Sequence, residues 1–137
     1  MKRKLKKTFS VLLSAILILS TLVIVGLAST PPSTSKWAYI SSTQSKAYSG
    51  SVNGTYKVIG GSNYSSSSHP LTICSQYYDG SSSSWKFDKK IKVNINATLN
   101  DTYTTFHSET LSWRVYLKPY AAWTSGCNGY GYIWHDM

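Results

Sequence analysis

The sequence predicts an all-β fold: a single small antiparallel β-sandwich (or barrel) of about seven to eight strands, placed after an N-terminal signal peptide. Three observations carry this. From Ser29 onward there are 21 Ser and 11 Thr but only 16 Leu, Ile, Val and Phe together, so aliphatic side chains alone cannot fill a core. Five Trp and eleven Tyr supply the missing area, at about 150–250 Å² per buried ring. These rings alternate with polar residues at a period of two, which a half-buried antiparallel strand requires. Glu109 is the single Glu of the chain, and no Ala/Leu/Glu/Lys stretch recurs at helical spacing, which excludes a helical bundle.

The chain of 137 residues has room for one domain. Residues 1–28 read as an export signal: a cationic end (Lys2, Arg3, Lys4, Lys6, Lys7), then an uncharged apolar run to Ala28. Gly26 and Ala28 place small residues where a signal peptidase cuts, after Ala28. The alternative is an uncleaved anchor, since twenty apolar residues span a bilayer. Either way the rest of the chain is expected outside the cell. Five of the fourteen basic residues belong to this segment, so the formal charge of +9 falls to +4 after it. The basicity is mostly a targeting feature and does not point to nucleic acid. The long cationic leader has the character of Gram-positive export.

Residues 29–35 form a Ser/Thr/Pro tether, and 36–137 the β-domain. Lys36 to Ile40 is expected as a first strand and Thr55 to Ile59 as another, separated by turn residues around Gly50 and Asn53-Gly54. Gly60-Gly61-Ser62-Asn63 and Ser65 to Ser68 read as a flexible loop. Pro70 to Tyr78 alternates Leu71, Ile73, Ser75 and Tyr77 against Thr72, Cys74, Gln76 and Tyr78. Asp79-Gly80 and the following serines make a turn.

Ile91, Val93, Ile95, Ala97 and Leu99 share one face of what reads as one strand, with Trp85 and Phe87 continuing that face beyond a turn or bulge at Asp88-Lys89-Lys90. Asn100-Asp101 is expected to turn the chain. Leu111, Trp113, Val115 and Leu117 alternate with Ser112, Arg114, Tyr116 and Lys118 until Pro119. Gly129 to Trp134 closes the domain with Tyr130, Tyr132 and Trp134 on one face and glycines on the other.

Cys74 and Cys127 are expected to pair in an oxidising compartment. That bond would close a loop of about fifty residues, worth roughly 4 kcal/mol in the chain-entropy model.

No metal site and no cofactor are expected. His69, His107 and His135 lie far apart in sequence without close ligand partners. No Gly-x-Ser-x-Gly elbow occurs. Asp101 and Glu109 flank one strand as a glycosidase pair could, yet both occupy turn positions where acids serve solvation. The chain is therefore read as non-enzymatic.

Two features remain as candidate binding groups. Lys86, Lys89, Lys90 and Lys92 form a local cationic cluster. Trp123, Tyr130, Tyr132 and Trp134, with Trp37, Tyr39 and Tyr120, concentrate rings near the two ends of the domain. Together they predict a small secreted bacterial protein that binds envelope glycan or an anionic cell-wall polymer, with an anionic membrane surface as a further partner. Two alternatives stay open: a cationic antimicrobial or bacteriocin-like protein, and a small extracellular hydrolase whose site assembles only in three dimensions.

Overall fold

A computed structural model describes residues 34–135. The signal peptide 1–28 with its cleavage after Ala28, and positions 29–33 of the tether, lie outside the described residues. The described residues contain nine strands and no helix: β1 (Lys36–Ile40), β2 (Ala47–Tyr48), β3 (Val52–Gly54), β4 (Val58–Asn63), β5 (Leu71–Asp79), β6 (Ser84–Val93), β7 (Ala97–Tyr103), β8 (Leu111–Pro119) and β9 (Gly129–Trp134).

These strands make an antiparallel β-sandwich. One sheet has the order β1-β9-β4-β7; the other has the order β2-β8-β5-β6, with β3 also pairing on β8. The turn-rich stretch before β4 thus supplies two short edge strands, which accounts for the excess over the expected number.

The core lies between the sheets. Ile73, Val115, Trp113 and Leu117 come from the five-stranded sheet, and Ile40, Ile59 and Ile133 from the other, all fully or almost fully buried. Trp113 also donates its indole N–H to the Gly54 carbonyl at 2.8 Å, so its one polar atom is paired. Glycine sets the closeness of the two layers. A Cβ on Gly131 would stand 2.8 Å from Leu117 Cδ2 and 3.1 Å from Val115 Cγ1. The glycine face of β9 is therefore the inner one, and its tyrosines face outward.

Several expectations are corrected. Gly60 to Asn63 is not a loop but the last four residues of β4, paired with both β7 and β9. Its glycines are required by close approach, because a Cβ on Gly60 would overlap the Tyr132 ring. The run from Ile91 to Leu99 is not one strand: β6 ends at Val93 in one sheet and β7 begins at Ala97 in the other. Asn96 turns the chain at φ 58, and Ile95 is left 41% exposed. Asn and Asp tolerate this left-handed geometry better than other non-glycine residues. Asn100-Asp101 does not turn the chain, since β7 continues through it to Tyr103.

Phe87 does not share the core face either. A register shift in β6 makes Gln76 the partner of Phe87, while Ser75 pairs Lys89. One extra residue on a strand reverses the facing of everything before it, so Phe87 points outward and is 44% exposed.

The expected disulfide is absent: Cys74 and Cys127 are both free and buried. Their positions explain it. Cys74 lies opposite Lys90 and Tyr116 on the outer face of its sheet, whereas Cys127 belongs to the inter-sheet core. The Cys127 thiol donates to the His69 and Pro70 carbonyls at 3.3 and 3.4 Å. A disulfide needs short, facing Cβ vectors, and a sheet lies between these two.

Candidate binding faces

The outer face of the four-stranded sheet follows from strand parity. Trp37 and Tyr39 of β1 pair with Tyr132 and Tyr130 of β9, which pair in turn with Gly60 and Ser62 of β4. Ser62 pairs with Thr98 of β7. Partners directly opposite share a face, so four rings and two hydroxyls lie together, and Tyr64 just after β4 adds a fifth ring. Trp37 stands 5.3 Å from Tyr130 and 5.1 Å from Tyr132 between ring centroids. Tyr39 and Tyr64 approach Tyr130 at 6.3 and 5.9 Å. These spacings fall within the range of offset or tilted ring contact.

Exposure grades across this face. Tyr39 is 63% exposed, Tyr64 44% and Trp37 36%, while Tyr132 is buried. The Tyr132 hydroxyl donates to Asp101 Oδ1 at 2.6 Å. Burial first, and then the Asp101 carboxylate, hold the Tyr132 phenol well above its ordinary range. Ser62 Oγ and Thr98 Oγ1 share a hydrogen bond of 2.8 Å, and Ser62 Oγ donates to Tyr130 at 3.3 Å. The inner rings are thus fixed by neighbours, and the outer ones are exposed to solvent.

The residues singled out from sequence are distributed over both sides of the sandwich. Tyr130 and Tyr132 lie centrally in the ring face, and Trp134 follows them on β9. The Trp134 indole N–H is buried with no acceptor among the described residues. Trp123 is elsewhere, in the segment before β9, with its ring stacked on His69 at 3.8 Å. The four lysines all belong to β6, in the other sheet. Lys90 and Lys92 share the outer face of that sheet with Cys74 and Thr72, whereas Lys86 and Lys89 oppose Tyr77 and Ser75 on its reverse side. Strand alternation alone turns Lys89 away from Lys90 and Lys92, and the β6 bulge moves Lys86 to the side of Lys89.

Sequence reasoning missed Ser62, Tyr64 and Thr98, Ser62 because Gly60 to Asn63 carried the signature of a loop, and it singled out Asp101 only as half of a possible glycosidase pair. A signal existed in the matched alternation of β1 and β9: Trp37 and Tyr39 alternate with Ala38 and Ile40 as Tyr130 and Tyr132 alternate with glycines.

Asp101 is engaged by Tyr132 and Glu109 lies exposed ahead of β8. Among the described residues no group of three or more His, Cys, Asp or Glu gathers closely enough to hold a metal ion.

No family model matches the chain, and no curated protein does. Among solved structures it is similar to one described as the crystal structure of PirA, with TM-score 0.48 and 13% identity, covering 79% of this chain and 98% of that one. It is also similar to the crystal structure of Yersinia pseudotuberculosis-derived mitogen (YPM), with TM-score 0.41 and 15% identity, covering 79% and 90% respectively. Likenesses this distant assign no function to the chain.

Proposed function

We propose that the protein is a secreted, non-enzymatic binding protein of the bacterial envelope that takes a neutral glycan on the outer face of its four-stranded sheet. The observation that supports this reading is the contiguous set of rings, Trp37, Tyr39, Tyr64, Tyr130 and Tyr132, on one side of the sheet. An aromatic face carries negative charge density, which attracts the slightly positive C–H edges on one side of a pyranose. Ser62, Thr98 and the tyrosine hydroxyls lie beside the rings to pair with sugar hydroxyls. Three rings are exposed by a third or more, and exposed apolar patches of this kind mark interaction sites.

Retention on purified cell walls at about 0.1 M and 1 M salt tests the reading, since the Debye length falls from about 10 Å to about 3 Å between them. Ring contacts survive this change, and lysine contacts do not. Tyr39→Ala and Trp37→Ala should remove the retention that persists at high salt, without lowering the melting temperature by more than a few degrees. Absence of saturable retention at both salts, or Tyr39→Ala retained like wild type at high salt, would overturn it.

The antimicrobial reading draws on the cations of the opposite sheet, Lys90, Lys92, Arg114 and Lys118. A killing assay on related bacteria separates the two, because a glycan-binding protein leaves cells viable.

A further inference from the structure

The outer face of the five-stranded sheet carries a second constellation that the ring face does not involve. Its register places Lys118, Thr72 and Lys92 side by side, then Tyr116, Cys74 and Lys90 with Tyr48 beyond, then Arg114, Gln76 and Phe87, and finally Tyr78 beside Trp85. Successive levels lie about 7 Å apart along the strands. No carboxylate occupies any of these positions.

Arg114 has a constrained guanidinium. It stands 4.3 Å from the Tyr48 ring centroid and 4.1 Å from that of Trp85, and its Nε donates to Gln76 Oε1 at 2.9 Å. Two ring faces and one hydrogen bond set the plane of the fork. Lys90 lies 4.1 Å from the Phe87 centroid, and Lys92 lies 4.7 Å from that of Tyr120. Between Lys92 and Lys118, the Thr72 hydroxyl is buried with no partner among the described residues, the side chain being 6% exposed. A hydroxyl in that state costs free energy unless something pairs with it. Burial pushes the neighbouring Cys74 thiol up to about 11, against the opposing pull of Lys118 and Lys90.

We propose that this face is a second binding site, for a polyol-phosphate polymer, an extended chain of phosphodiesters. The cations are spread over three levels and two strands and do not converge on one point. That spacing suits a chain carrying one negative charge per repeat and does not suit a compact multivalent ion. The Arg114 fork offers paired N–H groups to the two free oxygens of a phosphodiester. The rings beside the cations accept the C–H groups of the polyol, and Thr72 supplies a hydroxyl for a phosphate oxygen or a polyol hydroxyl. A lipid surface fits less well, because no Leu, Ile, Val or Met occupies the outward register positions, and the rings there that could insert, Phe87 and Trp85, lie under Lys90 and Arg114. The proposal does not depend on sugar binding by the opposite sheet.

The test is equilibrium binding of the purified protein to poly(glycerol phosphate), with poly-γ-glutamate and phosphatidylglycerol vesicles as competing probes. Saturable, salt-sensitive binding to the phosphate polymer is expected. Arg114→Lys keeps the charge but loses the fork, and should weaken that binding about tenfold. The double variant Lys90→Gln/Lys92→Gln changes two exposed residues and should weaken it about fivefold; it decides the matter if the Arg114 variant fails to fold. Tyr39→Ala, on the other sheet, should leave it unchanged. No saturable binding would overturn the proposal. So would equal binding of poly-γ-glutamate, preference for the vesicles, or loss of binding in Tyr39→Ala.

Discussion

Tyr132 reaches across Gly60 to donate its hydroxyl to Asp101 at 2.6 Å. The two residues belong to β9 and β7, which do not pair; β4 runs between them. The contact exists because Gly60 has no side chain in its path, and because β7 carries two residues, Asn100 and Asp101, in the register gap opposite Gly60. A glycine and a bulge thus fix the most buried ring of the candidate glycan face.

Gly60→Ala should therefore act on fold and site together. The new methyl group would overlap the Tyr132 Oη and Cζ atoms, and ring atoms cannot swing aside as the end of a flexible chain can. A loss of about 1–3 kcal/mol is expected, with weaker high-salt retention on walls. Tyr132→Phe keeps the ring and removes only the hydroxyl, and should cost about 1 kcal/mol. Denaturant melts of the two variants check this; equal losses would show that the methyl overlap is unimportant.

Trp113 is completely buried with its indole N–H paired to Gly54. Trp113→Ala should destabilise by about 3–5 kcal/mol. Trp113→Phe, which removes the indole donor to the Gly54 carbonyl but retains most of the volume, should fall well short of that. Thermal melts that put both variants within a degree or two of wild type would contradict the core assignment.

The cysteines should behave as two slow thiols. Cys74 and Cys127 are buried and free, and burial raises both above the ordinary thiol range, which suppresses the reactive thiolate. Native protein should be alkylated slowly, and unfolded protein should take two equivalents without prior reduction. A reductant should leave the melting temperature unchanged. A mass two protons below the dithiol in non-reduced material would show the bond after all.

Lys57 supplies a pH dependence. Its side chain is buried, with Nζ donating to the Tyr56 carbonyl at 2.7 Å and standing 3.0 Å from His135 Nδ1. Burial lowers its pKa below 10.5. Between the folded value and 10.5 the unfolded chain holds more protons than the folded one, so stability from this group rises as pH climbs through that window. Wild type should gain melting temperature relative to Lys57→Met as pH climbs toward 10.5. Identical pH slopes for the two proteins would refute the assignment.

Much of this architecture is legible along the chain, for a local reason. Where a strand is regular, polar–apolar alternation states which side chains face inward, as in Leu111 to Leu117 and Gly129 to Trp134. The same alternation already placed Cys74 with Thr72 and Gln76, away from Ile73, and so argued against a bond to a core cysteine. The expectation of a bond rested on compartment and an even count of cysteines, and the geometry overturns it.

The sequence by itself determined the class of fold, because abundant rings and scarce aliphatics at a period of two can bury a core only between half-buried antiparallel strands. It also determined the strands Lys36 to Ile40, Leu111 to Pro119 and Gly129 to Trp134. Only the tertiary structure decided which residues meet. A one-residue bulge at Asp88 reverses the facing of the first half of β6, so that Trp85, Lys86 and Phe87 each lie on the side opposite to the one that alternation from Ile91 gives them. A glycine pair that reads locally as a loop becomes a central strand, because the cost of ordering it is offset by pairing on both edges and by the Tyr132 ring above it. Bulge position and close approach depend on partners far away in the chain, so they exist only once the sheets have formed.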